Sequence, residues 1–148
     1  MKTKNVLRLL TIAVLIFLLW PVERVIVPEW RVELRDPENK SLSGVRLRET
    51  WKDYTVQENS SEEDRSSDAS GVVVFPMRRV SSSRLRIYWG AVRQGPNIHA
   101  SYGPHSYIFV IDARYKDNFV APEWHGGPEK KLRSIYLLHP DLGRGVSP

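Results

Sequence analysis

Few residue types are available for chemistry in this chain. It holds 4 histidines and no cysteine among 148 residues. Without cysteine there is no disulfide, no thiolate nucleophile and no thiolate-bound zinc. His99, His105 and His139 fall on or beside predicted strands, and His125 falls in a glycine-rich loop, with Asp112 and Glu123 as carboxylates able to join them. No two histidines have the H-x-H or H-x₃-H spacing of a metal site. A hairpin would set His99 opposite His105, but hydrogen-bonded structural histidines are the expectation. Glu58, Glu62, Glu63, Asp64 and Asp68 crowd the stretch Gln57–Ser70. Their spacing does not match the D-x-[DN]-x-[DN]-G calcium loop, and a solvated loop is expected instead. Serines are many, but no G-x-S-x-G elbow occurs. No catalytic residue, no metal ligand and no cofactor is therefore assigned.

Aromatic side chains are the remaining chemical signal. Trp51, Tyr54, Trp89, Tyr102, Tyr107 and Trp124 are many for one domain, and most are expected in the core. Tyr54, Tyr102 and Trp124 lie in or near predicted loops. Together with His99 and His105 they form the expected binding surface, suited to a protein or carbohydrate partner.

The elements that must position these residues follow from hydrophobic period. Trp30, Val32 and Leu34 alternate with Arg31, Glu33 and Arg35, which predicts a first strand. Val45 to about Tyr54 alternates likewise, with Val45, Leu47 and Trp51 on one face. Glu49 shares that face, so its carboxylate must be paired, stand at the rim, or be re-aimed by a bulge; rim or bulge is the expectation. Val72–Phe75 is a short β-branched strand between Gly71 and Pro76. Leu85, Tyr88, Trp89 and Val92 stand at helical spacing and predict a helix over about Ser83–Arg93. Asn97–Tyr102 and Ser106–Asp112 read as a hairpin around Gly103-Pro104-His105. Ala113–Lys130 reads as irregular, Leu132–His139 as the last strand and 141–148 as a tail.

The pattern W-R-V-E-L-R-D-P-E-N-K-S-L-S-G-V-R-L, followed by S-D-A-S-G-V-V-V-F-P, resembles the carboxypeptidase regulatory-like (prealbumin-like) domain. The resemblance rests on Asp36, Leu42, Gly44, Val45, Ser67, Asp68, Gly71 and Phe75, and covers Trp30–Pro76. It implies an all-β fold, a seven-strand antiparallel sandwich, here with one short inserted helix. It says little about activity. The hydroxyisourate hydrolases built on this fold end in Tyr-Arg-Gly-Ser, whereas this sequence ends in Gly143-Arg144-Gly145-Val146-Ser147-Pro148. The hydrolase reading is set aside on that difference.

Ahead of the domain, Lys2, Lys4 and Arg8 precede the apolar run Leu9–Trp20. This is the layout of a secretory signal, and with no small-x-small cleavage site after it an uncleaved signal anchor is expected. The organisation is then anchor and tether over 1–29, sandwich over 30–140 and tail over 141–148. The lipid bilayer would be one partner through Leu9–Trp20. The expected location is the cell membrane, single-pass, with a cytoplasmic N-terminus and an extracytoplasmic domain. Four of the 22 cations and two of the 17 acids precede Trp30, which leaves the remainder at only +3 of the total +5. Acids and bases interleave there, so no nucleic-acid partner is expected. The function expected from sequence is a membrane-anchored, non-catalytic β module that binds a protein or envelope component. The alternative is a metal-dependent or hydrolytic enzyme using His99, His105 and Glu49.

Overall fold

The computed structural model describes residues 2–94, 102–115, 122–127 and 131–139. Helix α1 runs Lys2–Leu19 and passes directly into strand β1, Pro21–Val27. Then come β2 (Glu29–Arg35), β3 (Arg46–Asp53), β4 (Ser61–Ser66), β5 (Val72–Phe75) and β6 (Arg78–Ser83). Helix α2 (Arg84–Gln94) follows, then β7 (Pro104–Val110), a 3₁₀ turn at Ala113–Tyr115, β8 (Glu123–Trp124) and β9 (Lys131–Leu137).

The nine strands described form three sheets, ordered β1-β6, β5-β2-β9 and β4-β3-β7-β8. This corrects the seven-strand antiparallel sandwich. Strand β9 runs parallel to β2, from Glu29↔Lys131 to Arg35↔Leu137. A parallel neighbour cannot be reached by a short hairpin and needs a long crossover, which here is most of the chain. The core lies between the sheets. Trp30, Val32 and Leu34 of β2 meet Phe75, Leu47 and Ile108, all 2% exposed or less. The alternation of β2 is clean, and Trp30 Nε1 donates to Ser134 Oγ at 3.0 Å, joining β2 to β9.

Three further expectations are corrected. Among the described residues no helix is long and apolar enough to cross a membrane, so the single-pass anchor is not supported. The unbroken apolar run spans only ~18 Å against a hydrocarbon core of ~30 Å, and the helix must take in Lys4 and Arg8 to lengthen. Pro21–Val27 is no tether: it pairs antiparallel with β6, Pro21↔Ser83 through Val27↔Arg78. The acidic stretch is no loop either, because Ser61–Ser66 is an edge strand on β3. It needs no apolar residue there. Arg48 of β3 donates to Asp64 at 2.6 and 3.0 Å and pairs with Glu62 at 3.0 Å, so the carboxylates are matched by cross-strand guanidinium groups. That hydrogen bond with Arg48 holds Asp64 below its usual range.

The helix expected over Ser83–Arg93 runs Arg84–Gln94, but its apolar stripe of Leu85, Tyr88, Trp89 and Val92 is exposed. The helix instead touches the domain at Gly90, where an added Cβ would collide with the Thr55 carbonyl oxygen. Strand β7 pairs with β3 on one side and β8 on the other. The expected hairpin partner of β7 lies, apart from Tyr102, outside the described residues, as does the tail 141–148.

The Asp68–Gly71 turn shows why β5 starts where it does. Asp68 Oδ1 accepts from Ser70 N at 2.8 Å and Val72 N at 2.9 Å, an Asx turn. Gly71 sits at φ +75°, and a Cβ there would stand 2.7 Å from the Leu34 carbonyl oxygen. Gly44 has a similar φ, +71°, but nothing within 4 Å of its missing Cβ. Gly44→Ala is expected to cost only the left-handed backbone term, ~1–2 kcal/mol. Gly71→Ala adds a backbone clash and is expected to cost at least about twice as much. Urea unfolding of the pair measures the difference, and equal losses would contradict it.

Candidate functional site on the outer face of the four-stranded sheet

Strand β7 alternates strictly. Ser106, Ile108 and Val110 are buried, while His105, Tyr107 and Phe109 are half-buried on the opposite face. The outward rings form a ladder: His105 to Tyr107 at 5.8 Å between centroids, and Tyr107 to Phe109 at 5.8 Å, nearly parallel. Across the sheet, Lys52 of β3 pairs in register with His105 and Thr50 with Tyr107. Tyr54, just past β3, brings its ring within 6.1 Å of His105, and Lys52 Nζ stands 5.2 Å from the Tyr54 ring. On the other flank His125 lies 4.6 Å from His105, ring to ring, and its Nε2 is 3.1 Å from Glu123 Oε2. Burial pushes the His105 imidazole below its usual value, and the neighbouring His125 adds to that.

These rings line two adjoining clefts. One, of about 250 Å³, is walled by Tyr54, Tyr102, Pro104, His105 and His125. The other, of about 200 Å³, is walled by Thr50, Lys52, Tyr54, Ser60, His105 and Tyr107 among others. Tyr54 and His105 belong to both. A third hollow of about 280 Å³, between Tyr54–Glu58 and Arg86–Arg93, is the seam along which α2 lies against the β3–β4 connection.

The structure thus brings together Tyr54, Tyr102 and His105 from the expected binding surface. Trp124 does not join them: it alternates with Glu123 and is 8% exposed, inside the core. His99 lies outside the described residues. His139 lies beyond the end of β9 and outside the cluster. Glu123 and His125, both in the histidine and carboxylate set read from the sequence, join the cluster although no two histidines have ligand spacing. A signal existed, because Glu123-x-His125 on an extended strand puts both side chains on one face, as H-x-H would.

The enzyme alternative, which grouped His105 with Glu49, is divided by the sheet. Glu49 pairs in register with Ile108 and faces inward, 0% exposed, with no bulge to turn it out. Arg78 Nε and Nη2 donate to Glu49 Oε2 at 3.1 and 2.9 Å, and the same guanidinium reaches Glu63 and lies 4.2 Å over the Trp51 ring. Burial drives the Glu49 carboxyl above its usual range, and Arg78 only partly offsets this. Burial also pushes Glu63 upward, but hydrogen bonds from Arg65 and Arg78 outweigh it and leave Glu63 lowered. Asp53, also 0% exposed, is met by Arg24 of β1 at 3.6 Å. Both pairs fasten the β1–β6 sheet to the inner face of β3. They are structural contacts on the far side from the clefts.

Asp112 is likewise engaged locally. Arg114 donates to it through Nε at 2.9 Å and Nη2 at 2.7 Å, and through its backbone N at 3.1 Å. The Arg114 hydrogen bond leads in lowering Asp112 from 3.8 to about 2. A depressed folded value means the contribution is full above 3.8 and fades as pH falls toward about 2. The stability gap between the parent and Asp112→Asn should therefore be flat near neutrality and close in that acid window. A gap that widened on acidification would contradict it.

No protein-family model matches the chain, and no curated protein matches it.

Proposed function

We propose that the protein is a non-catalytic binding module, and that the outer face of its four-stranded sheet takes a carbohydrate. The observation that carries this reading is the ring-lined double cleft, with Tyr54 and His105 shared between its halves. Aromatic faces suit the apolar faces of a sugar ring, and Lys52 and Ser60 supply hydrogen-bonding groups at the edge. Taken together the clefts fall in the ~300–1,000 Å³ class of small-ligand sites. Similarity of Trp30–Pro76 to the carboxypeptidase regulatory-like domain is kept as a proposal for that segment, and assigns no chemistry by itself.

The test is a titration of the full chain with a panel of soluble α- and β-linked oligosaccharides, followed by tyrosine and tryptophan fluorescence. Saturable binding of at least one sugar is expected, weakened at least about tenfold in Tyr54→Ala, the size of a 1.4 kcal/mol contact. No saturable binding at millimolar sugar, or binding indifferent to Tyr54→Ala and Tyr102→Ala alike, overturns the reading. Saturation by unstructured peptides alone would move the partner to the protein class.

A further inference from the structure

We infer that His105, Glu123 and His125 form a site for a divalent transition-metal ion of the zinc class at the mouth of the cleft. Their ligand atoms, one from each residue, all lie within 4.8 Å of one another. Two imidazole nitrogens and one carboxylate oxygen are the donors such ions prefer, whereas calcium and magnesium favour all-oxygen shells. On a tetrahedral ion with bonds of 2.0–2.1 Å, neighbouring donors stand ~3.4 Å apart. Glu123 and His125 are already at 3.1 Å, so the site closes mainly by side-chain rotation of His105 toward them.

The backbone sets up this convergence. Tyr107↔Glu123 and Ser106↔Trp124 are paired antiparallel, and continuing that register brings His125 opposite His105. Cross-strand partners on one face are the nearest side chains a sheet offers. His125 and Glu123 are open to solvent, with side chains 68% and 53% exposed, so an ion can enter without unfolding the sheet. Three protein donors leave a fourth position, and Tyr54 and Tyr102 line the same cleft as His105 and His125. The ion would then hold an oxygen of water or of a bound ligand there. This inference shares a cleft with the proposed function but does not depend on the carbohydrate: either binding can occur without the other.

The test uses tag-free full chain, stripped with chelator, dialysed, and titrated with zinc chloride by calorimetry and with cobalt(II) by visible absorption. One zinc per chain is expected, with a cobalt spectrum of the intense four-coordinate type and a rise in Tm on adding zinc. His105→Ala and His125→Ala should each weaken zinc at least ~10-fold, at the lower end of the 10–100-fold loss known for the supporting groups of metal sites. Glu123→Gln should weaken it as well, and His139→Ala should leave it unchanged. Far-UV circular dichroism of each variant separates a lost ligand from a lost fold. Absence of stoichiometric zinc at micromolar concentration overturns the inference. So does undiminished affinity in folded His105→Ala or His125→Ala, or an equal loss in His139→Ala. Sugar binding that survives chelation would leave the carbohydrate reading standing while the metal site is judged on its own data.

Discussion

Arg78→Met should cost the fold ~3–5 kcal/mol, the range for stripping one partner from a buried ion pair. Glu49 and Glu63 are direct cross-strand neighbours on β3 and β4, and like charges so placed repel. The Arg78 guanidinium lies between them and is the group that makes the arrangement tolerable. Methionine keeps the apolar stem as far as about the Nε position but removes the guanidinium and leaves Glu49 dehydrated, with its second oxygen, Oε1, already lacking a hydrogen-bond partner. The sign with pH follows. Glu49 already titrates above its usual 4.5 because of burial, and loss of Arg78 raises it further. A raised folded value penalises the fold above that value and ceases to do so below the unfolded one. The Arg78→Met deficit should thus be largest at neutral pH and shrink as pH falls toward 4.5. Adding Glu49→Gln to Arg78→Met should recover much of the loss, because the stranded charge goes with it. A loss under ~1 kcal/mol in urea unfolding, or no recovery in the double variant, would mean the pair does not bind the β1–β6 sheet to the domain.

Phe75→Ala should be of similar size, ~3–5 kcal/mol, as for large aromatic truncations in cores. Phe75 is 0% exposed, the largest fully buried side chain among the described residues, and pairs in register with Trp30 of β2. Removing its ring leaves a cavity in the core between the β5-β2-β9 and β4-β3-β7-β8 sheets, which hydrogen-bonded strands cannot shift to close. Trp51→Ala is expected to cost about half of that or less. Sequence periodicity places Trp51 in the core, but the residue is only half-buried, with one face against Arg78. Denaturant midpoints for the two variants settle the ranking. Greater damage from Trp51→Ala would place Trp51 in the core and contradict its half-buried position on β3.

How much could be read from the sequence depends on how local the determinant is. The alternation of Trp30–Arg35 and the Asp68–Gly71 turn are set by neighbours in the chain, and the strands they specify lie where period and turn residues put them. The burial of Glu49 was also latent in its phase with Val45 and Leu47. What the chain could not show locally was Arg78, twenty-nine residues away, which makes that burial tolerable. The same limit hid β4. A run of Ser, Glu and Asp carries no apolar period, and it becomes a strand only because Arg46 and Arg48 face it. Pro21–Val27 reads as a tether until β6 is known to pair with it, and the parallel β2–β9 contact spans about a hundred residues. At the candidate site Tyr54, Tyr102 and His105 were visible as aromatic or imidazole groups near turns. His125 needed the β7–β8 register, which a two-residue strand scarcely announces.

The proposed binding site is the outer, ring-lined face of the β4-β3-β7-β8 sheet. An NMR shift map of the full chain tests it most directly, recorded against the tightest-binding oligosaccharide of the panel. Perturbed amides should cluster at Lys52–Tyr54, Tyr102–Tyr107 and Glu123–His125, the backbone beneath the two clefts. Perturbation confined to the seam between Val56–Glu58 and Arg86–Arg93, or to the exposed edge of β9, would contradict it.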